Sequence, residues 1–169
     1  QASEAATVHA WLERDDGLAE RSSLLPCHPT STLSCLASAP GAIVVAGFDH
    51  RADRTGSQQF PLSSLGPTPW SIPGALPVPT VVAPGVGIWG AQSKTAGFAT
   101  TSGTSPAAAF VSGLAALLME QTIQSGQRIR SSELQRRLTE TAMPLDAQAK
   151  GDWHPRYGFG AANVQHLFG

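Results

Sequence analysis

The chain has 169 residues, enough for one domain, or a large piece of one, with a buried core. Only 14% of them are charged, against about 25% in an average soluble domain, and eleven basic against twelve acidic side chains leave a net charge of -1. No basic cluster exceeds the pairs Arg128 with Arg130 and Arg136 with Arg137, which excludes the electrostatic footprint of a nucleic-acid binder, and no apolar run approaches the roughly 18 residues of a membrane span.

The chain begins with Gln1 rather than Met, and no basic stretch leads into an apolar one. It is therefore expected to be a processed product whose targeting segment has gone. Residues 7–14 (TVHAWLER) alternate with Val8, Ala10 and Leu12 on one side, which predicts a strand ended by Asp15-Asp16-Gly17. Residues 18–41 are rich in Ser, Pro and Gly and are expected to form a loop. Within it, Cys27 and Cys35 admit two readings: a disulfide worth about 2–3 kcal/mol through chain entropy, or two buried thiols. Cys27-His28 has no second Cys/His pair to complete a zinc site.

Residues 42–47 (AIVVAG) form a short continuous apolar run, the pattern of a strand buried on both faces. Residues 50–59 are polar and loop-like, residues 60–67 end in a Gly-Pro turn, and residues 68–79 hold four prolines and are loop. Residues 80–83 and 86–91, separated by Pro84-Gly85, are expected as two more strands of the same sheet. A helix follows over residues 107–124, opened by Ser105 with Pro106 in the first turn and closed by Ser125-Gly126. Its residues 107–119 are apolar almost all round, which predicts burial. A second helix opens with Ser132-x-x-Gln135, a capping-box pattern, carries Leu134 and Leu138 on one face with a Glu133/Arg137 pair, and is stopped by Met143-Pro144. Short buried strands followed by a buried helix indicate an α/β domain with a mostly parallel sheet.

The chemistry concentrates in residues 100–113, TTSGTSPAAAFVSG. A hydroxyl-rich loop runs into an apolar helix with Ser105 at the junction. There its hydroxyl projects from the helix start, its own N–H is a free donor, and the helix dipole favours negative charge. Those properties suit a nucleophile and the oxyanion formed by its attack. A bare Gly-Thr-Ser before a helix would otherwise read as an ordinary cap.

The wider pattern, Ser102-Gly103-Thr104-Ser105-x-Ala107 with Val111, Gly113 and Ala116-Leu117-Leu118, resembles the active-serine motif of the subtilisin-like serine proteases. Four more blocks resemble that family in the same order: residues 37–47 (ASAPGAIVVAG), residues 63–67 (SSLGP), residues 79–85 (PTVVAPG), and Gly158-Phe159-Gly160 with Asn163. The chain departs from the family pattern at Pro106, Ala109, Phe110 and Leu65. The resemblance implies the C-terminal portion of a subtilisin-like three-layer α/β fold, with a mostly parallel sheet and a buried central helix that starts at the nucleophile. Residues 1–17 would be a strand at the end of an upstream insertion, residues 18–41 a loop, and residues 42–169 the nucleophile-bearing half.

The family's D-S/T-G and H-G-T motifs are absent, and Asn163, the sole Asn, belongs to the terminal block rather than to the oxyanion site. Asp15 or Asp16, His28 and Ser105 stand in the family's order, but His28 precedes Pro29 in a loop with no helix signal, so that triad is rejected. His9, His50, His154 and His166 also lie outside any catalytic motif, and no carboxylate cluster has calcium-loop spacing. The resemblance thus implies a serine endopeptidase acting through an acyl-enzyme on Ser105. The Ser105 N–H and the Thr104 hydroxyl would support the oxyanion, and Ser102 and Gly103 would line the substrate. The partner would be an upstream segment or chain of the same protease supplying Asp, His and Asn, and the substrate a peptide or protein. No cofactor is implied, and any structural calcium would belong to the upstream segment. The location implied is secreted or periplasmic. The competing readings are a pseudoprotease or regulatory subunit that keeps the fold and binds peptides or a partner, and a fragment without function of its own.

Overall fold

A computed structural model describes residues 8–11, 25–52, 58, 60–69 and 73–168. A 3-10 turn at Cys35–Ser38 precedes β1 (Val45–Phe48). Then come β2 (Val81–Pro84), β3 (Ile88–Ala91), β4 (Phe98–Thr101), α1 (Thr104–Gln124), α2 (Ser131–Glu140) and α3 (Val164–Phe168).

The centre is a parallel pair, β1 with β2, in the register Val45 to Val81 and Ala46 to Val82. Both strands are apolar on both faces, and both faces are covered. Val81 and Ala83 pack with Ala107, Val111, Leu114 and Leu118 of α1 and Leu134 and Leu138 of α2, with Val45 beside them. Ala46, Phe48 and Val82 point the other way, against Leu145, Tyr157 and Ala161. Helices therefore cover one face and the C-terminal segment covers the other, so period-2 alternation is spent on two apolar layers rather than one. The far side of β2 is taken by Ala161, through Val82 N–H to the Gly160 carbonyl at 3.0 Å and Ala162 N–H to the Val82 carbonyl at 2.9 Å. This approach requires Gly158: its φ is 58°, and a Cβ there would lie 2.4 Å from the Thr80 carbonyl oxygen.

The structure alters several expectations. Residues 88–91 do form a strand, but it leaves the central sheet and pairs antiparallel with β4 (FATT), which was not among the expected strands although its Phe and Thr residues suit one. Residues 8–11 are irregular, with the Trp11 indole N–H donating to the Ser31 carbonyl at 2.9 Å; the rest of the expected 7–14 strand, with Asp15 and Asp16, lies outside the described residues. Cys27 and Cys35 are both exposed and unbridged, not buried thiols. The capping box does not form, because Ser132 already lies inside α2. The hydroxyl of Ser131 instead donates to the Gly41 carbonyl and the Gln135 amide to the Ala42 carbonyl, at 2.8 and 2.9 Å, tying α2 to the entry of β1.

Helix α1 differs most from expectation. It starts at Thr104, and only the stripe Ala107, Val111, Leu114 and Leu118 is buried. Phe110, Leu117, Met119 and Ile123 are exposed, Ile123 by 62%. The spacing 4-3-4 is one helix face, and the described residues set β1 and β2, with Leu134 and Leu138 of α2 and Leu167 of α3, against it. By length and composition α1 could cross a membrane; its packed stripe on β2 makes it a domain helix instead.

Two predictions follow from this packing. Leu138, 1% exposed, fills the space between α2 and α1, so Leu138→Ala should cost about 2–5 kcal/mol in urea denaturation of the intact protein; a loss under about 1 kcal/mol would contradict the packing. On the exposed face of α2, Glu133 accepts from Arg136 Nη2 at 2.7 Å and from Arg137 Nε at 2.9 Å. These bonds, Arg136 first, hold its carboxyl down to about 2 from 4.5. A depressed carboxyl stabilises above its unfolded pKa and loses that contribution as pH falls through the folded value. The thermal-midpoint gap between the parent and Glu133→Gln should therefore be constant above pH 5 and close between about 4.5 and 2. A gap that persists at pH 2 would show that the ion pairs do not cause it.

Candidate active site

The site is assembled by backbone contacts beyond the C-terminal ends of β1 and β2, where open parallel sheets present ligand crevices. After β2 the chain turns through Gly85-Val86-Gly87, runs out and back along β3 and β4, and re-enters as Ser102-Gly103. The Gly85 N–H donates to the Phe48 carbonyl at 2.9 Å and the Gly103 N–H to the Gly85 carbonyl at 2.7 Å. The Gly87 N–H donates to Ser102 Oγ at 2.9 Å. A Cβ on Gly85 would lie 2.8 Å from the Gly103 carbonyl oxygen and 3.2 Å from the Gly47 Cα, so no larger residue fits. Gly47 is itself held by its N–H donating to Ser63 Oγ at 3.1 Å.

These contacts deliver Gly103 as the residue before α1, with Ser105 second in the helix. Its N–H belongs to the first turn, where amides have no intrahelical acceptor. Ser105 is exposed, and among the described residues nothing is hydrogen-bonded to its hydroxyl. No acidic residue occupies the first turn, so the positive helix end is unopposed. Pro106, third in the helix, sacrifices no hydrogen bond because its N–H would have been an orphan. Thr104 is half-buried at the helix start. Ser102 spends its hydroxyl on Gly87, and Gly103 is packed on Gly85, so both are fixed parts of the turn.

Among the described residues no hydrogen bond joins a histidine to Ser105. His28 Nδ1 is bonded to the Thr30 hydroxyl at 2.8 Å. His9 is stacked on Trp11 and His154 on Tyr157. His166 pairs with Asn163, whose side-chain oxygen accepts the His166 N–H at the start of α3; that Asn therefore serves the terminal helix. Among the described residues no three His, Cys, Asp or Glu side chains gather to hold a metal ion.

One group was overlooked in the polar sequence after β1. Asp49 accepts from the Arg51 backbone N–H and from its Nε and Nη2, at 3.0, 3.1 and 3.3 Å. The Arg51 guanidinium holds the Asp49 carboxyl below its ordinary range. Nη1 of Arg51 would meet a Cβ on Gly87 at 2.7 Å, so this ion pair abuts the loop that holds Ser102. The available signal was a charged triplet directly after a buried strand.

A family model described as the subtilase family matches residues 27–160, more than half of the chain. The chain belongs to the subtilase family. Among solved structures, it is similar to the patellamide maturation protease PatA, at 26% identity and a TM-score of 0.62, over 83% of this chain and 46% of that one. It is similar to the Clostridium perfringens CspB protease at 27% identity and a TM-score of 0.70, over 85% of this chain and 30% of that one. A third likeness is to the PatG macrocyclase domain, at 27% and 0.60, over 79% of this chain and 37% of that one. This subtilase chain thus spans less than half the length of these relatives. No curated protein sequence matches it significantly.

The glycine contact makes a test of the site. Gly85→Ala must push Gly103, and Ser105 with it, out of position. Misplacement by an ångström costs on the order of 100-fold in rate, so inactivation of the intact protein by a serine-directed phosphonate should slow by about that factor while its far-UV spectrum is retained. An unchanged rate would show that the turn does not set Ser105.

Proposed function

We propose that this chain is the nucleophile-bearing half of a serine endopeptidase, working with an upstream segment or chain that supplies the catalytic His, its orienting Asp and the oxyanion Asn. The exposed, unpartnered hydroxyl of Ser105 at the open start of α1 carries the reading. Ser105 Oγ attacks the peptide carbonyl carbon and its proton passes to the upstream His. The developing oxyanion accepts the Ser105 N–H, with the Thr104 hydroxyl beside it. Collapse expels the amine, which takes the proton back from the His, and leaves an acyl-enzyme on Ser105 for water to hydrolyse. Ser102 and Gly103 hold the wall of the substrate channel through the turn they form. The reaction needs no cofactor. The substrate is a peptide or protein, and the compartment is extracytoplasmic, as is frequent among subtilases.

The test is covalent labelling with a fluorophosphonate. A serine hydroxyl with no base beside it is a weak nucleophile at neutral pH. The assembly containing the upstream segment should label at Ser105, the Ser105→Ala variant should not, and this chain alone should label at least about 100-fold more slowly. Equal labelling of the isolated chain would show that no upstream His is needed. An assembly that fails to label would point to a pseudoprotease that keeps the fold.

A further inference from the structure

The β3–β4 ribbon carries two large aromatic side chains in water. The register sets Trp89 opposite Thr100 and Ala91 opposite Phe98. Residues opposite each other, and residues two apart, share a face of an antiparallel pair, so Trp89, Ala91, Phe98 and Thr100 lie on one face. Trp89 is 73% and Phe98 71% exposed. Aromatics exposed side by side mark a contact surface. Lys94, at the hairpin tip, is the single charge between residues 88 and 101, so the ribbon is suited to a neutral, apolar side chain.

Its attachment says which ligand passes by. Both ends of the ribbon are pinned beside the nucleophile, by Gly87 N–H on Ser102 Oγ and Gly103 N–H on the Gly85 carbonyl. Thr100 precedes Ser105 by five residues, which places the face within about 18 Å of the nucleophile at ~3.5 Å per residue. An extended peptide held at Ser105 covers that distance in about five residues. Among the described residues neither outer edge of the ribbon is paired, so free N–H and C=O groups line the approach.

We propose that the Trp89–Phe98 face is a substrate subsite, taking an aromatic or leucine-sized side chain of the peptide within about five residues of the scissile bond. This rests on the peptidase reading above. The test walks a single Phe through five positions on either side of the scissile bond of a Gly/Ser/Ala peptide, using the intact protein. One position should raise kcat/KM at least about tenfold. That preference should vanish in Trp89→Ala/Phe98→Ala and in the milder Trp89→Gln, while cleavage of the Phe-free peptide stays within twofold. Preference that survives both variants, or equal loss on every peptide, overturns the subsite. Anisotropy titration of the same peptides onto Ser105→Ala separates the two readings. A Phe preference in binding that requires Trp89, in a protein whose parent cleaves nothing, keeps the subsite and defeats the peptidase. Binding without any preference defeats the subsite.

Discussion

Three backbone segments meet at Gly47, Gly85 and Gly103, and everything chemical in this chain depends on that contact. Gly103 lies against the ends of both central strands because Gly85, between it and Gly47, carries no side chain. A Cβ on Gly85 would need the space that the Gly103 carbonyl occupies. Ser105 is therefore positioned by the rigid sheet rather than by its own loop. The loop's remaining freedom is removed by Ser102 and Gly87, with the Asp49–Arg51 pair pressed against the same glycine.

The packing is lopsided in a way that bears on function. One stripe of α1 is sealed on β1 and β2, while Phe110, Leu117, Met119 and Ile123 face outward. The proposed upstream half would cover that surface. Burying even ~500 Å² of apolar area is worth on the order of 12 kcal/mol at ~25 cal/mol per Å², comparable with the whole ~5–15 kcal/mol stability of a domain. Such a half could stay attached without a covalent link, and it would bring the base that Ser105 lacks. Binding energy and catalytic competence would then come from one interface.

Much of this was legible in the sequence. The central strands showed as continuous apolar runs because they are buried on both faces, and membership of the family showed through its ordered motifs. The second helix was read correctly in Leu134, Leu138 and the Glu133–Arg137 pair, all local in sequence. What failed depended on long-range contacts. The strand at residues 88–91 looked like the others, since nothing in IWGA says which neighbour it will choose. Gln135 left the expected local cap with Ser132 and, like Ser131, bonds a carbonyl some 90 residues earlier. The all-round apolarity of α1 gave no hint that the described residues would cover only one side of it. Asp49 and Arg51 drew no reading of their own, because their proximity to Gly87 exists only in the fold.

The most direct measurement is the mass and melting behaviour of this chain by itself and with its upstream segment, by size-exclusion chromatography with mass detection and calorimetry. The chain alone should aggregate or melt without cooperativity, and the upstream segment should convert it into a single cooperatively melting complex. A well-folded 17.6 kDa monomer that melts cooperatively on its own would contradict this.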